Sequence, residues 1–237
     1  MFQSGSSPSN ALQDFFGAEA VSSLREVVLM ARDLAPVLPA VKPGDDVVVL
    51  LHGFMATAGV FRPMRARLER DVHARVATFT HAPGAGVKRI ARQLESLVRR
   101  IPLGARVHHV GQSLGGVVAR WFVQEMEGHA RVVQTISLGS PFGGTPVARR
   151  LPVLVGADLH EGSHLLARLR ARAHVGAVPH TSIDAGADRL VVGVRNAVFP
   201  RSDAIVLEGR GHNSLLFDEE VVRIVAGRIR SRRASLI

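Results

Sequence analysis

Apolar runs typical of buried strands alternate along this chain with segments whose apolar residues recur at helical spacing. The run Val47–Leu51 is unbroken and rich in β-branched residues, which favours a strand buried on both faces of a parallel sheet. The pattern predicts strands at 47–51, 75–79, 131–138, 180–183 and 203–207, and one more directly before Gly111. It predicts helices at about 11–35, 60–70, 87–100, 163–172 and 214–230, and one that follows residue 113 and runs to about 127. This alternation predicts an α/β fold, with a mostly parallel central sheet that carries helices on both faces.

The length of 237 residues, without an internal repeat or linker, predicts a single domain over 1–237. Residues 1–46 are expected to form a flexible segment and then a helix. We expect this helix to pack on the flank of the domain. Contact with a membrane or a partner is the alternative, because Phe15 and Phe16 are costly to leave exposed. Residues 147–175 interrupt the alternation and are interpreted as a small cap insertion over the site.

The segment Val110–Gly116 has the composition of a sharp strand-to-helix turn that presents a nucleophile. For the Ser113 hydroxyl to stand above a sheet, its backbone must be strained, and the residues two positions away must lack side chains. Gly111 and Gly115 meet that demand. A G-x-S-x-G pattern alone is a weak signal, and the strand predicted before it and the helix predicted after it make Ser113 the candidate nucleophile.

A serine nucleophile needs a base to take its proton and an acid to orient that base. Of the eleven histidines, His212 alone follows the late strands, in a glycine-flanked loop at the same sheet edge as Ser113. The acid should follow the preceding strand, where Asp188 and Asp184 both qualify. We favour Asp188 because the apolar residues after it can fix its loop, whereas Asp203 opens a strand at the opposite edge.

Acyl transfer also needs backbone amides that stabilise the oxyanion, each lowering the barrier by roughly 3 kcal/mol. The amide of Leu114 directly follows the nucleophile, and the amide of Phe54 lies in the loop after the first strand. His52 in that loop is interpreted as a structural histidine that hydrogen-bonds the loop backbone.

Composition excludes several other chemistries. The chain has no cysteine, which rules out disulfides, thiol catalysis and thiolate metal sites. Its net charge of +10 comes from arginines spread along the chain, without tyrosine and with one tryptophan. We therefore expect no nucleic-acid binding, and at most a weak peripheral association with acidic membranes. No apolar stretch reaches the roughly 18 residues that span a bilayer, and no signal peptide is recognisable, so a cytoplasmic location is expected.

Four glycine-containing stretches follow predicted strands: Val49–Phe54, Val110–Gly116, Leu138–Thr145 and Gly211–Leu216. Together they resemble the α/β-hydrolase superfamily, and specifically the bacterial lipases and esterases with a His-Gly-Phe oxyanion loop. This resemblance covers most of the chain and implies the α/β-hydrolase fold. It also implies a catalytic triad of Ser113, Asp188 and His212, and an oxyanion hole formed by Phe54 and Leu114.

The resemblance also bears on the substrate pocket. It implies that Leu138–Thr145 borders the site, so Phe142 is expected to line an acyl pocket together with Met55. Gln112 stands where histidine is common in the family, at a position that shapes the turn. The insertion at 147–175 is shorter than the lids of interfacial lipases, which puts activation at oil surfaces in doubt.

We therefore expect a serine carboxylic-ester hydrolase, an esterase or lipase, that acts through an acyl-enzyme on small-molecule or lipid esters. No metal or organic cofactor is expected, and the oligomeric state is left open. An acyltransferase or thioesterase with the same triad is the first alternative, and a peptidase or lyase is a more distant one. Halide-removing relatives would need aspartate at position 113. A non-catalytic, membrane-associated binding module is the alternative from another class.

Overall fold

Six strands form one parallel sheet in the order β2-β1-β3-β4-β5-β6. The computed structural model describes residues 8–151 and 153–235 of the chain. Within these residues the strands are β1 (Asp46–Leu51), β2 (Arg75–Thr78), β3 (Arg106–Gln112), β4 (Val132–Leu138), β5 (His180–Ala185) and β6 (Asp203–Leu207). The winding reverses at β1, because β2 and β3 lie on opposite sides of it. The carboxyl ends of β1 and β3 therefore flank a crevice of the kind in which α/β proteins place their sites.

Eight helices connect and cover the strands within the described part of the chain. They are α1 (Pro8–Met30), α2 (Arg62–Asp71), α3 (Val87–Val98), α4 (Leu114–Glu125), α5 (Val153–Leu159), α6 (His164–Ala171), α7 (Val194–Ala197) and α8 (Glu219–Ala234). Short 3₁₀ turns occur at Ala58–Phe61, Gly128–Ala130, Pro146–Arg150 and Ser214–Leu216. None of these described helices combines the length and the apolar character that crossing a bilayer requires.

β1 separates two hydrophobic cores. Val47, Val49 and Leu51 pack against the core under α3 and α4, whereas Val48 and Leu50 pack against the core under α2 and α8. All five side chains are buried, which confirms the prediction of a strand covered on both faces. Each such burial contributes roughly 1.5–3 kcal/mol before chain entropy is counted, so the carboxyl end of β1 is a rigid support.

α1 packs on the domain, but not through its apolar face. Its apolar side chains from residue 21 onward are largely exposed: Val21, Leu24, Val27 and Val28. Ser22 and Glu26 are buried instead, and the helix ends at Met30 rather than near residue 35. The apolar spacing therefore predicted the helix, and the helix packs on the domain with these four apolar side chains turned outward. Residues 1–7 and the side chains of residues 8–18, including the Phe15–Phe16 pair, lie outside what the structure describes.

Two predicted segments differ in their bounds. The segment 147–175 contains the expected short helix, α6, and also α5, which the pattern did not predict. The last helix begins at Glu219 rather than at residue 214, because Asp218 caps it by accepting hydrogen bonds from Glu220 N and Val221 N.

Buried histidines make the fold sensitive to acid. Burial lowers the pKa of His109 to about 3, with a smaller contribution from the neighbouring His108. Both ring nitrogens of His109 lack a hydrogen-bond partner among the described residues. Burial, and then the nearby His81, lowers the pKa of His52 to about 3 as well. These rings are therefore neutral in the folded protein, whereas in the unfolded chain they take up protons below about pH 6.5.

We expect the free energy of unfolding to fall as the pH drops below about 6.5, because the unfolded chain then binds more protons than the folded one. At pH 5 each of His52 and His109 should account for a loss of about 2 kcal/mol. Urea unfolding at pH 7 and pH 5 measures this loss, which should be smaller by about 2 kcal/mol in His109→Leu. Parallel losses in the variant and the wild type would contradict this role of His109.

Candidate active site

Ser113 occupies the sharp turn between β3 and α4, with backbone angles of φ +52° and ψ −118°. A non-glycine residue at positive φ is strained, and such strain persists only where the surrounding structure maintains it. The turn is tight: a Cβ on Gly111 would lie 2.3 Å from the Gly115 carbonyl carbon, and one on Gly115 would lie 2.1 Å from the Leu51 oxygen. The strand, strained turn and helix that the sequence predicts are therefore present.

The loops after β5 and β6 bring Asp188 and His212 into contact. His212 Nδ1 lies 2.6 Å from Asp188 Oδ2, and both side chains are only 5% exposed. The other carboxylate oxygen accepts hydrogen bonds from Leu190 N and Val191 N, at 2.8 Å each, so backbone amides of the two residues hold the Asp188 carboxylate. Because an ionised carboxylate can only accept, the shared proton belongs to Nδ1, which leaves Nε2 available as a base.

Ser113 and His212 line the same cavity, which has a volume of about 120 Å³. Most of the remaining wall is apolar: Phe54, Pro141, Val147, Leu151, Leu159, Leu190 and Val191. Three of these side chains come from the segment 147–175, which therefore borders the site. A largely apolar cavity with a few polar groups is typical of a small-molecule site. Among the described residues, no cluster of three or more histidine, acidic or cysteine side chains is arranged to hold a metal ion.

Two residues predicted for the substrate pocket lie elsewhere. Phe142 is completely buried, with its ring centroid 4.8 Å from that of Phe199 and 5.4 Å from that of His180. Pro141 takes its place in the cavity wall. Met55 is 58% exposed, and Phe54 rather than Met55 contributes to the wall. Phe142 is therefore not part of the wall of this cavity, and Met55 is not among the residues that line it. Phe142 does not reach the cavity because its ring packs against Phe199 and His180 in the core beneath the site.

The two predicted oxyanion residues flank the nucleophile. Leu114 is the first residue of α4, so its amide is one of the free N–H groups at a helix N-terminus, where the dipole favours negative charge. Phe54 shares the cavity wall with Ser113. The loop before it lies close to the turn, because a Cβ on Gly53 would be 3.2 Å from Ser113 Cβ.

His52 holds this loop rather than facing the substrate. It is 1% exposed and lies 3.9 Å, centroid to centroid, from the stacked ring of His81. Its Nδ1 donates to the carbonyl oxygen of Gly53 at 2.8 Å, and its Nε2 accepts from His81 N at 3.1 Å. The structural role predicted for His52 matches these contacts.

Asp184, the alternative acid, lies in β5 rather than in the turn after it. Burial raises its pKa to about 7, and the charge of Asp188 adds to the rise. Neither carboxyl oxygen has a hydrogen-bond partner among the described residues. The structure therefore brings His212 together with Asp188 and leaves Asp184 apart.

α1 contributes two acidic residues to the site that sequence reasoning missed. Glu26 lines the cavity with Ser113 and His212, and burial raises its pKa, while His212 opposes that rise. Glu19 accepts hydrogen bonds from Asn213 N at 3.0 Å and from Ser214 N at 3.3 Å, directly after His212. No local motif marks these glutamates, because their partners lie at the other end of the chain.

Replacing Glu19 with alanine should loosen the loop that carries His212. The change leaves two backbone amides without their acceptor, which costs about 1–3 kcal/mol. For the ester hydrolysis that the sequence predicts, kcat should fall by about tenfold with little change in KM, since His212 is displaced while the cavity wall is kept. Steady-state kinetics and thermal unfolding measure both effects. Glu19→Gln, which keeps one acceptor oxygen, should show a smaller loss. An unchanged kcat in a destabilised Glu19→Ala would mean that the Glu19 contacts stabilise the fold without positioning His212.

Part of the chain matches a known family. A family model described as palmitoyl protein thioesterase matches residues 47–175, which include β1, the turn at Ser113 and the segment 147–175. α1, Asp188 and His212 lie outside the matched range. A search of curated proteins returns no match.

Solved structures share the fold at low identity. A mature lipase of Bacillus licheniformis has a TM-score of 0.66 and 14% identity, and the match covers 81% of this chain and 95% of that one. A monoacylglycerol lipase of Paleococcus ferrophilus has a TM-score of 0.66 and 14% identity, and the match covers 84% of this chain and 99% of that one. A metagenomic carboxyl esterase has a TM-score of 0.63 and 15% identity, and the match covers 86% of this chain and 80% of that one. Identity this low speaks for the fold alone, and the predicted α/β-hydrolase fold is confirmed.

Proposed function

The chain belongs to the palmitoyl protein thioesterase family, and we propose that it is a serine hydrolase that cleaves carboxylic esters of lipophilic acyl groups through an acyl-enzyme. The family match supports a hydrolase, and the α/β-hydrolase fold agrees with it. One observation carries the finer proposal: His212 contacts Asp188 at 2.6 Å and opens into the same apolar cavity as Ser113. That arrangement is what a base between a nucleophile and an orienting carboxylate requires.

In the proposed reaction, Ser113 Oγ attacks the ester carbonyl carbon while His212 Nε2 takes the hydroxyl proton. The amides of Phe54 and Leu114 hold the oxyanion of the tetrahedral intermediate. His212 then gives its proton to the departing alcohol, and the acyl group remains on Ser113. Water attacks this acyl-enzyme with His212 again as the base, which releases the carboxylic acid and restores Ser113. Asp188 keeps the proton on Nδ1 throughout.

The apolar wall supports an aliphatic acyl group as the substrate portion that enters the cavity. Leu151 and Leu159 face it from the segment 147–175, and Leu190 faces it from the loop that carries Asp188. Each methylene removed from water there adds roughly 0.8 kcal/mol of binding. We therefore propose that kcat/KM rises with acyl length until the chain fills the cavity.

A thioesterase is the second candidate, and the family match favours it specifically. The same triad cleaves a thioester with the thiol as leaving group, since the acyl-enzyme is identical in both reactions. The choice between the two depends on how the site accommodates the departing group.

Paired substrates test both candidates. We expect hydrolysis of butyryl, octanoyl and palmitoyl esters of p-nitrophenol, and of thioesters with the same acyl groups. A higher kcat/KM for thioesters at every acyl length would favour the thioesterase. Hydrolysis of neither series would contradict the proposal.

Covalent labelling separates an enzyme from a binding module. A fluorophosphonate probe should label Ser113 of the wild type, as mass spectrometry of the tryptic peptide would show. A non-catalytic module would not react. Adding an alcohol acceptor to the ester assay identifies an acyltransferase, which would form the new ester in preference to the free acid.

A further inference from the structure

The outer face of α1 carries a stripe of exposed apolar side chains. Val21, Leu24, Val27 and Val28 are between 59% and 66% exposed and recur at helical spacing. Isolated exposed apolar residues are ordinary on a protein surface, but a contiguous stripe along one helix marks a contact surface. We call these four residues the α1 stripe.

The α1 stripe cannot turn inward without breaking the contacts that Glu19 and Glu26 make at the site. Glu26 on the inner face lines the cavity, and Val27, the next residue, belongs to the α1 stripe. Glu19 is hydrogen-bonded to the loop that carries His212. The polar face is therefore held by these contacts, and the α1 stripe is left on the outer side of a helix that borders the cavity.

The charge around the α1 stripe indicates what covers it. Arg25, on the same helix, is exposed and has its guanidinium 4.8 Å from the centre of the Phe217 ring. Arg32, just beyond the end of the helix, is also exposed, and the whole chain carries a net charge of +10. An apolar stripe flanked by arginines is complementary to a surface that is apolar inside and anionic outside. A symmetric dimer of this chain would instead bring this patch against its own copy, and so would place positive charge near positive charge.

We propose that the α1 stripe seats the protein on the surface of an anionic phospholipid bilayer. The apolar side chains enter the boundary between headgroups and acyl chains, and Arg25 and Arg32 contact lipid phosphates. Where the proposed function holds, the acyl groups that reach Ser113 come from esters or thioesters held in that bilayer. The docking itself does not depend on the chemistry.

Vesicle sedimentation of the 237-residue chain tests the docking. The vesicles are phosphatidylcholine alone, or phosphatidylcholine mixed with phosphatidylserine. We expect the wild type to sediment with the mixed vesicles, less so in high salt, and much less with phosphatidylcholine alone. The double variant Leu24→Gln/Val28→Gln should bind the mixed vesicles about tenfold more weakly or worse. Leu103→Gln is the matched control, because Leu103 is 76% exposed and precedes the amino end of β3, whereas Ser113 follows its carboxyl end.

Each result decides the question. Equal binding by the wild type and the double variant, equal loss in Leu103→Gln, or equal binding to both vesicle types would overturn the proposal. The proposal would also be overturned if light scattering showed a dimer of the wild type and a monomer of the double variant. Thermal unfolding of each variant shows that the fold is kept. Ser113→Ala should bind vesicles like the wild type, so failure of the proposed chemistry and failure of the docking give different results.

Discussion

Replacing Ser113 with alanine is expected to lower kcat for ester hydrolysis by about 10⁴-fold or more. In the proposed mechanism this variant lacks the oxygen that forms the acyl-enzyme, so the remaining rate comes only from substrate binding and the oxyanion amides acting on water. Initial-rate kinetics with octanoyl p-nitrophenyl ester measure the effect. Fluorophosphonate labelling should disappear in the same variant.

The thermal stability of Ser113→Ala should not fall, because alanine removes one hydroxyl from a cavity wall. The strain of the turn stays in the variant, because alanine keeps the Cβ that makes a positive φ costly. Ser96→Ala is the control: Ser96 is exposed on α3, so its loss should leave kcat as it is. A Ser113→Ala enzyme within a few-fold of the wild type would exclude the acyl-enzyme mechanism.

The parts of the site that the sequence predicted are those with local causes. The turn at Ser113 needs glycines on both sides, because a Cβ on Gly115 would lie 2.1 Å from the Leu51 oxygen. The unbroken run of β1 could be buried only between two layers of helices. In such cases the residue type and its immediate neighbours determine the geometry, so a pattern of a few residues is sufficient.

α1 shows where that reasoning stops. Its apolar spacing predicted a helix, but burial of the apolar face assumes that nothing else competes for the inner position. Glu19 competes, because its carboxylate meets the amides of Asn213 and Ser214 from the far end of the chain. Such a contact leaves no local signal. The position of Phe142 has a similar cause. Its ring faces the core rather than the cavity because it packs against Phe199 and His180, which lie elsewhere in the sequence.

The choice of acid also depends on tertiary contacts. Asp184 and Asp188 are the same residue type four positions apart, and both follow an apolar run. Only Asp188 reaches His212 and is held by backbone amides, whereas Asp184 is enclosed in β5 without hydrogen-bond partners among the described residues. The two carboxyls thus differ in surroundings rather than in sequence, and substitution can distinguish them.

Asp188→Asn should lower kcat by about 10³- to 10⁴-fold at neutral pH, whereas Asp184→Asn should change it by no more than a few-fold. The asparagine at 188 removes the charge that orients His212 and stabilises its protonated form in the transition state. At 184 asparagine reproduces the protonated carboxyl, which burial already favours up to about pH 7. The reverse ranking of the two variants would move the acid to Asp184.

Stability provides a second readout for the same pair. A carboxyl with a raised pKa destabilises the fold progressively as the pH rises from its unfolded pKa near 4 to its folded pKa of about 7, because the unfolded chain ionises first. Asp184→Asn should therefore gain stability over the wild type across this range, by up to about 4 kcal/mol above pH 7. Urea unfolding at pH 4.5 and pH 8 measures the gain, and a difference between variant and wild type that does not grow with pH would mean that Asp184 is ionised in the folded protein throughout.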